Sequence, residues 1–510
     1  MMTQGELAFK YEVDHQGGGM TGLGGIGTYL DLACRSGLIR SIERYVKARE
    51  GGQGWTDVEH VLSLVMLNLV GGDCVEDVNR LESDEGFCRL LGKALSHGLS
   101  RKALRGLKNR WRKEKRRSVP SSSSVFRYLA EFHDSDQEGL REPRKAFIPL
   151  ANEYLRGLYK VNRDLIGFVQ NNHIRTTATL DMDATLVETE KAEALWCYKG
   201  YGAYQPINTW WAEQGLVLHT EFRDGNVPAG FEQKRVLEES LESLPKGVKK
   251  VRMRSDTAGY QHELLNYCDR EDNKRCGRIE FTVSSDVTPE FKKAVMEVEE
   301  EDWTVLMKGE QSGELRQTSR QWAEVCFVPN AIGHSKKGSE YRYLAIRERM
   351  QDQLMLPGME EERELPFQTM LKESVRYKVF GLVTNMDWDG QELIDWHYKR
   401  CGRSEQAHSV MKEDLAGGTL PSGDFGENAA WWWMMILAFN LNAALKVLVL
   451  GEKWIWKRMK AIRFSLINIP ARLIGRSRQL SLRLNVQDPA YGWLVWIRAK
   501  ISLLHPVPSG

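Results

Sequence analysis

Hydrophobic residues recur at helical spacing through the first third of the chain. This spacing predicts helices over residues 22–48, 56–70 and about 125–160. Thr56 or Asp57 is placed to cap the second helix, and Gly71-Gly72 to end it. The sequence therefore predicts one all-helical domain over residues 1–165.

The pattern changes to alternation near residue 176, which is typical of β-strands. Between Thr176 and Asp183, Leu180 and Met182 fall on one side of the chain, and Asp181 and Asp183 fall on the other. Further strands are predicted at 207–211, 216–222, 248–254 and 279–283, with helices at 231–244 and 257–268. This order, three strands and then helix, strand, helix and strand, predicts a mixed α/β core over residues 170–283.

The alternation of strands and helices breaks off after residue 283. Short strands at 303–307, 322–328 and 341–346 predict a mainly β insertion over residues 284–375. A strand at 377–384 and long helices at about 389–414 and 428–450 then predict a second part of the core, over 376–450. Residues 451–510 form a basic C-terminal region, which we expect to be helical.

The composition is that of a globular protein and excludes several classes. Of 510 residues, 42% are hydrophobic and 27% are charged, which rules out wholesale disorder. The eight cysteines form no CxxC pair, which argues against a thiolate zinc site and a disulfide framework. The most apolar stretch, Ala429–Leu450, contains Asn440, Asn442 and Lys446 and is predicted to be a buried helix. We therefore expect no membrane span and no signal peptide, and a cytoplasmic location.

The net charge of +2 conceals two basic segments. Arg101–Arg117 holds ten Lys or Arg among 17 residues, including Arg110, Arg112, Lys113 and Lys115. The tail Lys453–Arg483 holds nine Lys or Arg and no acid. Such segments suit a polyanion like DNA, although a solvated helix face or a linker has the same composition.

Two candidate acids lie at the ends of predicted strands. Asp183 and Asp181 share one face of their strand, and Asp256 follows another strand and precedes a Gly-containing turn. Mixed α/β sheets place ligand groups at such strand ends. The alternatives are a solvent-facing strand end for the first pair and a helix N-cap for Asp256.

A third candidate group lies on the predicted helix at 389–414. Tyr398, Glu405 and Lys412 are seven residues apart and share one stripe of a continuous helix. Alone, this stripe is equally consistent with a solvated face. Two strand-end aspartates and a helix glutamate together can hold one or two Mg²⁺ ions, which take few carboxylates and accept phosphate oxygens as further ligands.

These segments resemble the DDE transposases of bacterial insertion sequences, in particular the thirteen-eighty family within the group marked by a Y-R-E-K signature. The segments that carry the resemblance are Leu180–Thr185, Tyr198–Tyr201, Arg223–Asn226, Arg254–Tyr260, Tyr398–Lys412 and Pro120–Ser123. The resemblance implies a ribonuclease-H-like core interrupted by a β insertion. The arginine of the signature is replaced by Cys401, and Arg400 and Arg403 are its neighbours.

The resemblance also implies roles for individual residues. Asp183, Asp256 and Glu405 would be catalytic and hold two Mg²⁺ ions, with Mn²⁺ as a substitute and Asp181 as the alternative first acid. Tyr398, Arg400 and Lys412 would contact DNA phosphates. The implied activity is cut-and-paste transposition: cleavage at inverted-repeat ends of double-stranded DNA, and strand transfer by a homodimer on paired ends in the bacterial nucleoid.

Two other functions stay open at this point. An inactivated or repurposed copy would bind DNA without cutting it, and Cys401 favours that alternative. A hydrolase with paired carboxylates, such as a glycosidase, would leave the basic segments unexplained.

Overall fold

A ten-stranded mixed sheet and one long buried helix organise the protein. The structure is a computed structural model that describes residues 18–49, 54–109, 117–142, 145–270, 273, 275–309, 315–329, 341–350, 367–372, 375–476, 479–485 and 488–506. Its strands are β1 (Met20–Thr21), β2 (Thr177–Ala184), β3 (Val187–Glu188), β4 (Ala203–Tyr204), β5 (Ile207–Trp211), β6 (Leu216–Glu221), β7 (Lys250–Ser255), β8 (Glu280–Ser285), β9 (Thr304–Gly309), β10 (Leu315–Val325), β11 (Arg342–Arg349), β12 (Thr369–Lys372), β13 (Val375–Thr384), β14 (Ala471–Arg476) and β15 (Gln479–Arg483).

The strands predicted for the first part of the core are all present. They lie side by side in the order β6-β5-β2-β7-β8. β5 pairs antiparallel with β2 and β6 with β5, whereas β7 runs parallel to β2 and β8 parallel to β7. Because β2 and β7 are parallel neighbours, with Met182 opposite Ser255, their carboxyl ends meet at the same edge of the sheet.

The described residues of 284–375 lie mostly in strands, and these strands continue the sheet of the core. β13 pairs antiparallel with β8, and the sheet then continues through β11, β10 and β9. β12 pairs with the other end of β13. One hydrogen-bonded sheet therefore carries both the core and the insertion.

Helices surround the sheet and fill the N-terminal region. The α-helices span Gly27–Arg35, Leu38–Tyr45, Asp57–Val70, Val78–Ser83, Glu85–Leu95, Arg101–Asn109, Ser122–Ala130, Ser135–Glu138, Glu153–Asn172, Gln233–Ser243, His262–Asp269, Pro289–Met296, Gly390–Tyr398, Arg403–Ser409, Phe425–Leu445, Glu452–Ile455, Met459–Ile462 and Ala490–Leu503. Thr56 caps its helix as predicted: its hydroxyl accepts from Glu59 N, and Glu59 in turn accepts from Thr56 N.

The helix Phe425–Leu445 is buried along its whole length. With the turn after it, it is long and apolar enough to span a membrane, but 89% of its most apolar window lies inside the protein. Its polar residues find buried partners: Asn440 bonds Asn162 and the backbone of Val217, and Asn442 accepts from the hydroxyl of Tyr29. The helix thereby joins the N-terminal helices to the core sheet.

The expectation of all-helical terminal regions is wrong. β14 and β15 form a hairpin in the C-terminal region, and β1 near the N-terminus pairs with β14, with Met20 opposite Arg472. The strands are short, and arginines interrupt their apolar residues, so the basic character of the tail obscured the alternation.

Candidate active site

Two carboxylates meet at the carboxyl edge of the sheet. Asp183 lies near the end of β2, and Asp256 directly follows β7. Asp256 caps a short helical turn, because its Oδ1 accepts a 3.0 Å hydrogen bond from Ala258 N. Both acids line one cleft of about 670 Å³. Asp256 is therefore a helix N-cap, as the alternative interpretation predicted, and it also lines the cleft.

The negative charges of the two carboxylates repel each other. Burial raises the pKa of Asp256, and the negative charge of Asp183 raises it further. Burial also raises the pKa of Asp183, and the guanidinium of Arg400 opposes that shift. A cation between the two carboxylates therefore stabilises their ionised forms.

Arg400 supplies positive charge to this pair. Its Nη1 lies 3.3 Å from Asp183 Oδ2, and the residue is only 7% exposed. Its charge also opposes the rise in the pKa of Asp256. The neighbouring Cys401 is exposed. The structure thus places Arg400, and not Cys401, against the acids.

The predicted continuous helix over 389–414 is wrong. The chain forms one helix over Gly390–Tyr398 and another over Arg403–Ser409, which continues as a π-helical turn to Asp414. The break lies at Gly402, whose φ of 79° is a left-handed conformation that favours glycine. The turn between the helices brings Arg400 to the acids, whereas on one continuous helix Arg400 would lie well off the stripe of Tyr398, Glu405 and Lys412.

Because the helix is broken, Tyr398, Glu405 and Lys412 do not share one stripe. Tyr398 packs against an apolar cluster that includes Leu344 and Leu382, away from the cleft. Glu405 is exposed in the first turn of its helix. Lys412 is partly buried and donates a 3.1 Å hydrogen bond from Nζ to the carbonyl of Leu186.

The donor set fits a divalent cation in part. Asp183 and Asp256 are two of the three carboxylates that line the cleft, the third being Asp286, and Mg²⁺ commonly takes one or two carboxylates from a protein. Within the described residues, no group of three or more His, Cys, Asp or Glu side chains is close enough together to hold a metal ion. Asp183 and Asp256 are therefore brought together, and Glu405 is not brought to them.

Asp181 is separated from the cleft by a buried ion pair. Arg254 donates from Nε and Nη2 to its two carboxylate oxygens, at 2.6 and 2.8 Å. The same guanidinium donates to the carbonyl of Trp396 and lies 4.9 Å from the centre of its ring. Asp181 thus ties β2, β7 and the helix Gly390–Tyr398 together, and Asp183 faces the cleft.

Several polar residues around the site escaped the sequence argument. Ser404 opposes the rise in the pKa of Asp183, and its hydroxyl donates to the carbonyl of Arg400 at 3.4 Å. His408 contacts Asn208, the residue on β5 that pairs with Asp183. His397 lies between the hydroxyls of Thr282 and Ser284 at 3.0 and 3.1 Å. Ser404 and His408 are four residues apart, a spacing that places both on one face of a helix, and both are buried.

The basic segment is described only in part. Arg101–Asn109 is helical, and Arg101, Lys102 and Arg105 are exposed. The predicted DNA contacts Arg110, Arg112, Lys113 and Lys115 lie outside the described residues.

Fold and site together define a mixed α/β protein with paired carboxylates at a sheet edge. The family model described as "Transposase DDE domain group 1" matches residues 6–506, and the chain belongs to that transposase family. Among solved structures it is similar to the piggyBac transposase synaptic complex with hairpin DNA, at 10% identity over 94% of this chain and 86% of that chain, with a TM-score of 0.40. A search of the curated proteins found no match.

Proposed function

We propose that this transposase performs cut-and-paste transposition of a bacterial insertion sequence of the thirteen-eighty family. It cleaves double-stranded DNA at the inverted-repeat ends and transfers the freed 3′-hydroxyl into target DNA. The observation that carries the proposal is the pairing of Asp183 and Asp256 in one cleft of a chain that belongs to a DDE family. The strand order β6-β5-β2-β7-β8, with its mixture of directions, supports a ribonuclease-H-like core.

Asp183 and Asp256 are the residues that would hold Mg²⁺, or Mn²⁺ in its place. When bound, the metal promotes attack by water or a hydroxyl and stabilises the leaving oxygen of a phosphodiester. Glu405 is the proposed third acid. Its helix begins directly after Gly402, so a change in the conformation of this turn would be needed to bring it to the pair.

Positively charged residues around the cleft would bind the DNA. Arg400 lies beside Asp183, and Lys412 donates to the carbonyl of Leu186, one residue before β3. Guanidinium and ammonium groups so placed bind phosphates by charge-assisted hydrogen bonds. We propose a homodimer on paired ends, in the bacterial cytoplasm and at the nucleoid, as the working form.

An oligonucleotide cleavage assay tests this proposal. Asp183→Asn, Asp256→Asn and Glu405→Gln each keep the side-chain size and remove one charge. Each should abolish metal-dependent cleavage of end-containing DNA and leave DNA binding nearly unchanged. Glu392→Gln is the matched control, because Glu392 is also exposed in the first turn of a helix, the one that precedes Arg400. Normal cutting by all three amide variants would refute the proposal.

Cys401 favours a second candidate, a copy that binds ends without cutting them. The exposed thiol stands where the signature has an arginine. Under this alternative the unmodified chain binds end-containing DNA and cuts it with neither Mg²⁺ nor Mn²⁺, so the same assay separates the two.

A further inference from the structure

Three neighbouring strands of the core carry an aspartate at the same edge of the sheet. Asp183 lies near the end of β2, Asp256 directly follows β7, and Asp286 directly follows β8. Because β2, β7 and β8 are parallel neighbours, their carboxyl ends come together. All three carboxylates line the cleft of about 670 Å³, and the function proposed above uses only the first two.

The register of the strands places these aspartates on one face of the sheet. Arg254 on β7 is opposite Asp181 on β2 and Thr282 on β8, so these three residues share a face. Because side chains alternate along a strand, every second residue after them lies on that face as well. Counted in this way, all three strand-end aspartates lie on it, with the one after β7 in the middle.

Asp286 lies further along the sheet than the other two acids. By the register, Ser284 is level with Asp256, and Asp286 is two residues later, which is about 6.6 Å along a strand. This offset agrees with the absence, among the described residues, of three acids close enough to hold one ion. The arrangement instead suits two ions, one on each side of Asp256.

The side chain of Asp286 is available to a ligand. It is exposed, and no described residue forms a hydrogen bond or an ion pair with its carboxylate. Asp183, in contrast, has the guanidinium of Arg400 3.3 Å away. The lone pairs of the third carboxylate are therefore free for a cation.

The guanidinium of Arg400 is an independent sign that the cleft takes a ligand. Arg400 is 7% exposed, and its buried Nε has no hydrogen-bond partner among the described residues. A buried donor without a partner is costly, so an oxygen atom of a ligand is the expected partner. Phosphate oxygens suit this donor, and they are also the ligands that Mg²⁺ takes beside carboxylates.

The balance of charge in the cleft also favours two ions. Arg400 offsets one of the three carboxylates, and a first divalent cation neutralises the other two. A second divalent cation makes the cleft positive, which suits the phosphate backbone of DNA. We propose that Asp286 is a further metal-binding carboxylate, which holds a second divalent cation together with Asp256 in the DNA-free protein. This inference rests on the proposed function and adds Asp286 to its acids.

The test measures binding of Mn²⁺ to the full DNA-free chain by electron paramagnetic resonance, which detects the free ion. The wild-type chain should bind two ions. Asp286→Asn should bind the first ion normally and the second at least about tenfold more weakly, since even loss of an outer-shell partner of a metal costs that much. Asp286 is exposed, so the amide should leave the fold intact.

Glu290→Gln is the matched control. Glu290 is also exposed, follows Asp286 by four residues and does not line the cleft. Its replacement removes the same charge and should leave both binding events unchanged, because water and salt screen a charge that does not contact the ion. Equal weakening by Asp286→Asn and Glu290→Gln would reveal a general effect of charge and overturn the role of Asp286.

Cleavage of end-containing DNA provides a second readout. Asp286→Asn should cut slowly at low Mn²⁺ and recover at high Mn²⁺, because a weakened site fills at a higher concentration. If Asp286→Asn binds two ions as the wild type does, or if the wild type binds only one, the second site is refuted while the proposed function stands. A wild-type chain that binds no Mn²⁺ and cuts no DNA would refute both.

Discussion

At the scale of single residues, two aspartates on one face of β2 have different surroundings. Asp181 is 3% exposed and bonds Arg254 through both carboxylate oxygens, whereas Asp183 lies two residues nearer the strand end and lines the cleft. The alternation of the sequence placed both acids on one face of the strand but could not show which of them lines the cleft. That difference depends on Arg254, which is a neighbour of Asp181 across the sheet and not along the chain.

Arg400 is the residue whose replacement we expect to matter most beside the acids. Arg400→Ala removes the cation that lies 3.3 Å from Asp183. Loss of one charge-assisted contact of ~1.5–3 kcal/mol should lower the rate of end cleavage by roughly 10- to 150-fold. Cys401→Arg should change the rate little, because position 401 is exposed and the adjacent arginine already faces the acids.

Single-turnover kinetics on end-containing DNA measure this effect. Arg403→Ala is the control, because Arg403 stacks on Trp456, with its guanidinium carbon 4.7 Å from the ring centre. A large gain from Cys401→Arg, combined with a silent Arg400→Ala, would show that the signature position is the one that matters.

His397 gives the protein a pH-dependent stability. Burial lowers the pKa of His397 to about 3, with help from Arg400 and Arg254, whereas an unfolded histidine titrates near 6.5. Below pH 6.5 the unfolded chain therefore binds more protons than the folded chain. The free energy of unfolding falls for this reason as the pH falls from 6.5 toward 3. His397→Gln should be less stable than wild type at pH 7, and the difference in Tm should shrink at pH 5. A constant difference across this range would contradict the expected sign.

At the scale of elements, the sequence predicted the strands of the core better than the helix beside the site. β2 has clear alternation, and a turn that contains Gly215 marks the end of β5. The hydrophobic pattern over 389–414 is helical on both sides of Gly402, so it predicted one continuous helix. The break between the two helices depends on the backbone conformation of Gly402, which the spacing of hydrophobic residues does not show. The pairing of Asp183 with Asp256 followed from strand ends, whereas the position of Arg400 depended on the break.

Gly402 therefore offers a test of the turn itself. No atom lies within 4 Å of a Cβ added at Gly402, so Gly402→Ala introduces backbone strain at φ 79° without a clash. We expect a loss of ~1 kcal/mol in stability and a lower rate of cleavage, because Arg400 and Glu405 flank the strained turn. Gly402→Asn should be milder, since Asn tolerates positive φ. Equal effects of Ala and Asn on cleavage and Tm would argue against strain as the cause.

At the scale of the whole molecule, the basic segment governs how the protein should respond to salt. Replacing Arg110, Arg112, Lys113 and Lys115 together by neutral residues should flatten the slope of log K against log salt by up to roughly 3–4 units, if all four contact phosphates. Specific and non-specific DNA should weaken alike, because phosphates carry no sequence information. A folded variant with an unchanged slope would move the role to the tail Lys453–Arg483.

The buried helix Phe425–Leu445 also constrains how the chain is made. Its partners Tyr29 and Asn162 lie 413 and 278 residues before the residues that bond them. Those N-terminal helices leave the ribosome long before their packing partner exists, and contacts of such separation form slowly. Until synthesis passes residue 445 the apolar surfaces that the helix Phe425–Leu445 covers stay exposed, which favours aggregation or chaperone binding. A premature stop codon anywhere upstream should therefore yield an insoluble or degraded fragment, and not a free DNA-binding domain that competes for the ends.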